Sequence, residues 1–296
     1  MEAGLASNKA DISVILPFIG GESEYVLRQA QAILAVGGES ILELLMVDNN
    51  PRPLFEPGGR RGRIRFVHQP RQGSYAARNG GLAEAGGEFI AFIDLDCRPL
   101  PGWPAQAVAL LKKDDRLGFV GGAILQTERI PGRPNLWERF DRHFHMLQKH
   151  YVENLRFAAT ANMTATRRCI ERIGGFDARF MSGGDREWAE RASAGGYSAA
   201  YAADSPVAHR CRDNFKGLLI KHLRLAGQTF VRFRVKGGNF SDMIGEENHC
   251  FRCRLSRTKQ AEPRDQAAFI GILILLQLCR YAEVLRLNLG GSPVRG

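Results

Sequence analysis

Asp94 and Asp96 stand one residue apart, directly after the apolar run FIAFI at residues 89–93. Two carboxylates at this spacing in a turn can bind one hard divalent cation, which can in turn bind a diphosphate. Isolated D-x-D triplets are common by chance, and a solvated turn ahead of Pro99 is the alternative. The position beyond a wholly apolar segment favours the metal-binding interpretation.

Asp48 has the equivalent position after a second apolar run, LELLMV at residues 42–47. A carboxylate there can accept hydrogen bonds from a nucleotide base or ribose. The following residues, Asn49-Asn50-Pro51, are also well suited to an Asx turn closed by the same carboxylate. Both interpretations stay open for Asp48.

The segment GSYAARNGG at residues 73–81 combines small residues with Arg78. Small residues let the start of a helix pack closely, and Arg78 could reach a phosphate. The segment matches neither the G-x-x-x-x-G-K-[ST] loop nor a G-x-G-x-x-G placed after the first strand. ATPases and dinucleotide-dependent oxidoreductases are therefore disfavoured.

Asp185 lies in the segment GGDREWAER at residues 183–191, where a helix is predicted to begin. At such a position a carboxylate can simply cap the helix. It can instead act as a general base towards the hydroxyl group of a bound acceptor.

These polar groups are expected to be positioned by alternating strands and helices in the first 125 residues. Strands are predicted at 12–18, 42–47, 64–68, 89–93 and 117–125, and helices at 22–36, 73–85 and 103–112. This order predicts an α/β fold with a doubly wound, mostly parallel, Rossmann-like sheet. Ligands of such sheets bind beyond the carboxyl ends of the strands, where Asp48 and Asp94 stand.

The second half of the chain is less regular. We predict helices at 135–150, 167–173, 185–194, 215–235 and 267–287, a short strand at 162–165, and short extended pieces up to His209. The apolar run 267–278 is shorter than the roughly 20 residues that a membrane-spanning helix needs.

The positive charge is concentrated late in the chain. The whole chain has a formal charge of +10, and residues 209–264 hold 13 basic and 5 acidic side chains. With 44% apolar and 24% charged residues, wholesale disorder is excluded. A basic segment on a nearly neutral body predicts an anionic partner: a membrane surface, nucleic acid or a phosphorylated substrate.

Two further groups of metal-ligating residue types are weaker candidates. Residues 249–253 (HCFRC) contain one C-x-x-C, but a structural zinc site needs four ligands, so we expect thiols in a mobile basic loop. His143, His145 and His150 fall in a predicted helix, where a surface on the acceptor side or plain packing is favoured over metal binding. The six scattered cysteines suit a reducing compartment.

Taken together, the motifs resemble those of the family 2 glycosyltransferases, which have the GT-A fold. The resemblance spans roughly residues 10–235, and no single motif is specific by itself. The matching segments, all in the expected order, are ISVILPF (12–18), VDNN (47–50), AARNGGL (76–82), FIDLD (92–96), ATANMTATRRCIERIGGFD (159–177), GGDREWAER (183–191) and the late His209.

The resemblance implies a role for each matching residue. Asp48 would contact the nucleobase of a nucleotide sugar, Arg78 the nucleotide or its phosphates, and Asp94 the ribose or metal. Asp96 would ligate Mn²⁺ or Mg²⁺, and His209 would add to the metal or diphosphate site. Asp185 would deprotonate the acceptor hydroxyl for an inverting transfer.

The chain departs from the family pattern at three places. Gly184-Asp185 replaces a common Glu-Asp pair, which leaves Asp185 as the expected base and Glu187 as a less favoured substitute. Cys97 stands where many members carry a further carboxylate. The Q-x-x-R-W signature of processive synthases is absent, which favours an enzyme that transfers a single sugar.

The resemblance implies a catalytic domain at 1–214, with a nucleotide-sugar half at about 10–125 and an acceptor half at about 126–214. A basic helical extension would follow at 215–296. We expect a glycan or lipid-linked acceptor, envelope or exopolysaccharide synthesis, and a cytoplasmic protein that binds the inner face of the membrane through 209–296. The alternatives are a nucleotidyltransferase-like enzyme or a non-catalytic basic protein, with nucleic acid the least favoured partner.

Overall fold

Strands and helices alternate through the first two thirds of the chain in a computed structural model that describes residues 11–235 and 237–294. The strands are β1 (Ile12–Phe18), β2 (Ile41–Asp48), β3 (Arg60–Arg61), β4 (Ile64–His68), β5 (Phe89–Ile93), β6 (Cys97–Pro99), β7 (Leu117–Thr127), β8 (Asn162–Thr166) and β9 (Ser198–Arg210). The helices are α1 (Ser23–Gly37), α2 (Ser74–Glu84), α3 (Ala105–Leu111), α4 (Leu136–Phe144), α5 (Gln148–Leu155), α6 (Arg167–Ile173), α7 (Gly184–Ala194), α8 (Phe215–Val235), α9 (Phe240–Arg257) and α10 (Pro263–Asn288).

The strands form one sheet in the order β3-β4-β2-β1-β5-β8-β7-β9-β6. Its centre is parallel, because β1 pairs in parallel with β2 and β5, and β2 with β4. Antiparallel pairs extend it, with β8 on β5, β7 on β8 and β6 on β9. The predicted α/β architecture with a parallel central sheet and a helical C-terminal region is confirmed.

Burial explains why the central strands form where the sequence predicts them. Every residue of β5 is buried, and β1 is buried except for Pro17, as expected of strands covered on both faces. Helix α2 packs very closely on this layer at Gly81. A Cβ atom there would lie 2.7 Å from Cγ2 of Ile15, so the close approach requires glycine.

Three local predictions are wrong. The helix predicted at 135–150 is two helices, α4 and α5, separated near Met146, whose φ is 53°. The short extended pieces before His209 form the single 13-residue strand β9. The region around residues 249–253 belongs to helix α9 and is not a loop.

The described chain divides into two compact units. Unit 1 comprises residues up to Leu125, Leu147–Ala178 and Asp185–His209, and it contains most of the sheet. Unit 2 comprises Gln126–Met146, Arg179–Gly184 and residues from Arg210 onwards. Segment 126–146, predicted as part of the acceptor half, therefore packs with the C-terminal helices, and the functional division at residue 214 stays a prediction.

Unit 2 is built on helices α4, α8, α9 and α10. Its main apolar cluster joins Phe140 and Phe144 of α4 to Leu218 of α8 and to Phe269 and Leu276 of α10. A buried ion pair ties α9 to α10, because both carboxylate oxygens of Glu247 accept hydrogen bonds from Arg280 at 2.6 Å. A pair removed this fully from water is costly to break on one side only.

A second buried polar group in unit 2 is centred on His145. Nδ1 of His145 lies 2.8 Å from a carboxylate oxygen of Asp141, which also accepts hydrogen bonds from Arg212. The ring of His145 packs edge-on against His222, with centroids 5.2 Å apart. Within the described residues, neither nitrogen of His222 nor Nε2 of His145 has a hydrogen-bond partner. Both rings therefore fit the neutral form.

We expect these two histidines to make unit 2 sensitive to acid. Burial lowers the pKa of His145 to about 4 despite the hydrogen bond to Asp141, and burial also lowers the pKa of His222 well below its usual value. Lys221 and Arg212 lower the pKa of His145 further. Arg254, Arg280 and Lys221 lower the pKa of His222 further, and so does His145 once it is protonated. The unfolded chain takes up these protons near pH 6.5. The free energy of unfolding is therefore unaffected by these two histidines above that pH, and it falls as the pH drops towards 4. For His145 alone, the loss between about pH 7.5 and about pH 5 is on the order of 2 kcal/mol.

Chemical denaturation of the protein and of a His145→Gln variant at the two pH values measures this effect. Glutamine can still donate to Asp141 but takes up no proton. The variant is expected to lose less stability on acidification than the parent protein. An equal loss in both would contradict the assignment of this acid sensitivity to His145.

Helix α10 has two different faces. Its 26 residues are long and apolar enough, by length and composition, to cross a membrane, yet 44% of its most apolar window is buried inside the protein. The helix is longer than the apolar run used for the sequence prediction because it continues through Arg280 and Glu283, both of which are buried. The buried face is thus the core of unit 2, and the other face is open to solvent.

Candidate active site

The central feature of the site is an ion pair at the carboxyl end of β5. The guanidinium of Arg78, on α2, donates a very short hydrogen bond through Nη2 to Asp94. Arg78 also donates to the carbonyl of Ser74 and lies over the ring of Tyr75, 5.5 Å from its centroid. The Arg78 side chain is 4% exposed and that of Asp94 35% exposed. Arg78 therefore holds one face of Asp94 while the other face stays open.

Asp96 and His209 come together beside this pair, as the sequence predicts. Nε2 of His209 lies 3.5 Å from a carboxylate oxygen of Asp96. Cys97 is the register partner of His209 in the antiparallel pair of β6 and β9. One donor atom from each of Asp96, Cys97 and His209 lies within 4.8 Å of the other two. Oxygen, nitrogen and sulfur donors at these distances fit a divalent cation.

Asp48 is buried at the end of β2 and holds the following turn. Its carboxylate accepts hydrogen bonds from the backbone N–H groups of Asn50 and Leu54 and from the Asn50 side chain. The Asx turn considered for this position is therefore formed. Contact between Asp48 and a nucleobase stays a prediction.

Asp185 is linked to the ion pair through Tyr75. The backbone N–H of Asp185 donates to the Tyr75 hydroxyl, and burial together with the charges of Asp185 and Asp94 raises the pKa of that hydroxyl. Asp185 itself is partly exposed, in the first turn of α7, and Oδ1 accepts a hydrogen bond from the N–H of Arg186. Tyr75 therefore lies under the Arg78 guanidinium and is hydrogen-bonded through its hydroxyl to the start of α7.

The rest of helix α7 fixes the position of Asp185. Trp188 is 1% exposed, donates to the carbonyl of Gly174, and packs against Phe119 and Phe176. Glu187 makes two hydrogen bonds to Arg191 at 2.7 and 3.0 Å. The Glu187 carboxylate is therefore engaged in an ion pair within α7.

Sequence reasoning missed the amide residues that hold the site together. Asn49 donates to the carbonyls of Gln69 and Arg71 and accepts from the N–H of Gly73, which fixes the start of α2. Asn79 exchanges two hydrogen bonds with the backbone of Phe176. Both lie within motifs of the family resemblance, VDNN and AARNGGL. Their hydrogen-bond partners are distant in sequence, so the spacing of residues within a motif does not predict them.

A mostly parallel sheet with acidic side chains beyond its strands, and a group of donor atoms that fits a divalent cation, are the features expected of a nucleotide-dependent transferase. Residues 13–192 match the family described as Glycosyl transferase family 2. The chain is also 30% identical over 290 residues to glycosyltransferase AglE of Haloferax volcanii, covering 92% of this chain and 93% of that protein. The protein belongs to glycosyl transferase family 2 and is a glycosyltransferase.

Solved structures agree with the fold. Mannosyltransferase PcManGT from Pyrobaculum calidifontis, in complex with GDP-Man and Mn²⁺, aligns with a TM-score of 0.56 and 17% identity over 95% of this chain and 88% of that chain. GalNAc-T7 with UDP, GalNAc and Mn²⁺ aligns with a TM-score of 0.52 and 17% identity over 68% of this chain. This chain covers 43% of the GalNAc-T7 chain. The predicted family and GT-A fold are confirmed.

Proposed function

We propose that the protein transfers one hexose from a nucleoside-diphosphate sugar to a hydroxyl group of a glycan or lipid-linked acceptor, with inversion at the anomeric carbon. The observation that carries the proposal is the arrangement beyond β5. There Arg78 binds Asp94, Asp96 lies beside His209, and the Tyr75 hydroxyl is hydrogen-bonded to the backbone of Asp185. The solved relatives that bind UDP with GalNAc, or GDP-Man, support this class of donor. Envelope or exopolysaccharide synthesis stays a prediction from the resemblance.

The donor end of the site comprises Asp94, Asp96 and His209. Asp96 and His209 would hold Mn²⁺ or Mg²⁺, and both solved relatives contain Mn²⁺. When bound, the cation supplies positive charge that stabilises the leaving diphosphate. Asp94, fixed by Arg78, would contact the ribose or the cation, and the turn held by Asp48 would lie against the nucleobase. Arg78 would act mainly through Asp94, because its guanidinium is buried in that pair.

The acceptor end of the site is Asp185. Its carboxylate would take the proton from the acceptor hydroxyl while that oxygen attacks the anomeric carbon. The bond from the anomeric carbon to the diphosphate oxygen breaks, and the diphosphate leaves with the electron pair on the opposite face. One displacement of this kind inverts the anomeric configuration and needs only one strong base.

Release of nucleoside diphosphate from a panel of UDP- and GDP-sugars tests this proposal. With Mn²⁺ and a mixed glycan acceptor preparation, we expect release from one donor class, abolished by a chelator. If no nucleotide sugar in the panel is consumed with either Mn²⁺ or Mg²⁺, the proposed reaction is contradicted. Release of inorganic diphosphate would instead support the nucleotidyltransferase alternative.

We infer in addition that unit 2 binds the surface of an anionic membrane. Helix α10 presents a solvent-exposed apolar face composed of Ala267, Ile270, Gly271, Ile274, Leu275, Leu278, Ala282 and Leu285. Such a face, together with basic residues, is typical of helices that lie in the membrane interface. Among the described residues, the exposed basic side chains of unit 2 are Arg129, Arg133, Arg179, Arg210, Lys216, Arg234, Arg252, Lys259, Arg264 and Arg286. Lys236, part of the predicted basic segment, lies outside the described residues.

The buried face of α10 argues for peripheral binding and against a spanning helix. Arg280 is 2% exposed and bound to Glu247, so it would have to leave its partner if lipid surrounded the helix. Lying along the interface leaves this ion pair intact.

We expect an Ile274→Glu/Leu278→Glu variant to bind anionic vesicles on the order of tenfold more weakly than the parent protein, because two apolar side chains no longer enter the interface. Vesicle flotation at low salt measures this. Ile130→Glu is the matched control, since Ile130 is 56% exposed and lies outside α10. Equal flotation of the double variant and the parent, or no flotation of the parent, would contradict membrane binding through α10.

A further inference from the structure

The donor set at the proposed cation site contains a sulfur atom. Cys97 follows Asp96 directly and is 1% exposed, while Asp96 has a side chain that is 65% exposed. Two of the three candidate donors, Cys97 and His209, are buried, and the third, Asp96, is exposed to solvent. Open coordination positions on the solvent side would remain for water and for the diphosphate.

Strand pairing directs the two buried donor residues towards the same point. Cys97 and His209 are direct partners in the antiparallel pair of β6 and β9. Directly opposite residues of an antiparallel pair project their side chains to the same face of the sheet. The position of the sulfur beside the imidazole is therefore set by the backbone and does not depend on a flexible loop.

The distances between donor atoms suit a single ion. Ligands bound to one cation at about 2.0–2.3 Å lie about 3–4 Å from one another. In this protein, Nε2 of His209 is 3.5 Å from Asp96, and Sγ of Cys97 is 3.9 Å from Asp96. All three donor atoms lie within 4.8 Å of one another, so small side-chain adjustments would close the site on an ion.

We propose that Cys97 is a sulfur ligand of the divalent cation bound by Asp96 and His209, and that the site consequently accepts thiophilic cations such as Zn²⁺ and Cd²⁺ as well as Mn²⁺. The inference rests on the proposed function, because it places its ligand in the same cation site. Thiolate sulfur prefers softer cations, whereas carboxylate oxygen suits Mg²⁺ and Mn²⁺. Zn²⁺ or Cd²⁺ should therefore compete with Mn²⁺ for the site.

Co²⁺ absorption spectroscopy tests the proposal directly, because a cobalt–thiolate bond gives a charge-transfer band in the near ultraviolet. The parent chain for this experiment carries Cys250→Ser and Cys253→Ser, because Cys253 lies 3.6 Å from Nε2 of His249 and could bind Co²⁺ itself. We expect the band in this parent, its loss in Cys97→Ser, and its retention in Cys169→Ser. Cys169 is the matched control because it is another buried thiol of unit 1.

Competition between Cd²⁺ and Mn²⁺, followed by the electron paramagnetic resonance signal of free Mn²⁺, gives a second readout. We expect the preference for Cd²⁺ over Mn²⁺ to fall on the order of tenfold or more in Cys97→Ser. Cys97→Ala gives the same comparison if the serine variant does not fold.

Two results would overturn the inference, and they differ in what they say of the proposed function. If Co²⁺ binds, with visible bands that are lost in Asp96→Ala but without a charge-transfer band, Cys97 is not a ligand and the proposed cation site stands. If neither Co²⁺ nor Mn²⁺ binds to the parent with or without nucleotide, the metal-dependent function fails together with the sulfur ligand.

Discussion

Asp185→Asn is expected to abolish sugar transfer while leaving donor binding unchanged. Loss of a general base typically costs about 10²–10⁴-fold in rate. Asparagine has nearly the same size and still offers an Oδ1 acceptor to the N–H of Arg186, so the local structure at the start of α7 should persist. The measurement is turnover under saturating donor, with donor affinity determined separately on the same preparation.

The variant separates the catalytic role of Asp185 from a capping role. If Asp185 only capped α7, Asp185→Asn would keep full activity, and the base assignment would be wrong. Glu187→Gln is the matched control on the same helix turn. It removes the ion pair with Arg191, so we expect a modest loss of stability and little loss of turnover per folded molecule.

Asp96→Ala is expected to remove metal-dependent donor binding. The change deletes the solvent-exposed oxygen donor of the proposed cation site, and loss of a direct ligand should cost at least the roughly 10–100-fold in metal affinity seen for supporting residues. Because the Asp96 side chain is 65% exposed, the variant should fold normally. Calorimetric titration of nucleotide sugar with and without Mn²⁺ measures the effect.

Asp204→Ala is a suitable control for this variant, because Asp204 is an exposed aspartate on β9, the strand that carries His209. It should bind donor like the parent protein. A non-catalytic protein that binds nucleic acid through its basic segment would instead lose nothing in Asp96→Ala, and its binding would fall steeply with salt. Unchanged Mn²⁺-dependent donor binding in Asp96→Ala would contradict the proposed metal site.

Central strands could be predicted because a strand that is buried on both faces is a continuous apolar segment of the sequence. β1 and β5 begin and end at the predicted residues. So does β4, although only Ile64 and Phe66 of its five residues are buried. β9 could not be predicted in the same way, since it mixes small residues with Asp204 and Pro206 and its buried and exposed positions follow no regular period. Its formation depends on pairing with β7 on one side and with β6, a three-residue strand that has no sequence signal of its own, on the other.

The start of helix α9 carries a sequence signal that predicts a helix. α9 begins with a capping box between Asn239 and Asp242, which spacing alone could have suggested. Most residues of α9 are polar, and one of its two buried residues, Met243 and Glu247, is charged. An apolar helical pattern is therefore not recognisable in the sequence. The break between α4 and α5 at Met146 carries neither glycine nor proline, so no local pattern could have placed it.

In the candidate site, the sequence predicts the positions of single residues but not the partners that they contact in the fold. Asp94 and Asp96 follow from strand position, because polar residues beyond parallel strands converge at one edge. The partners that define their chemistry come from elsewhere: Arg78 from α2 and His209 from β9. Tyr75, which links Asp94 to Asp185, lies within a quoted motif, but its role depends on burial that one sequence does not disclose.

A thermal-shift screen of nucleoside-diphosphate sugars with and without Mn²⁺ tests the central claim most directly. The claim is that Asp94, Asp96 and His209 form a cation-dependent donor site. We predict that one class of nucleotide sugar raises the unfolding temperature only when Mn²⁺ is present, and that Asp96→Ala removes this shift. Stabilisation by the same nucleotide sugar without any divalent cation, or no stabilisation by any nucleotide sugar with Mn²⁺, would contradict the claim.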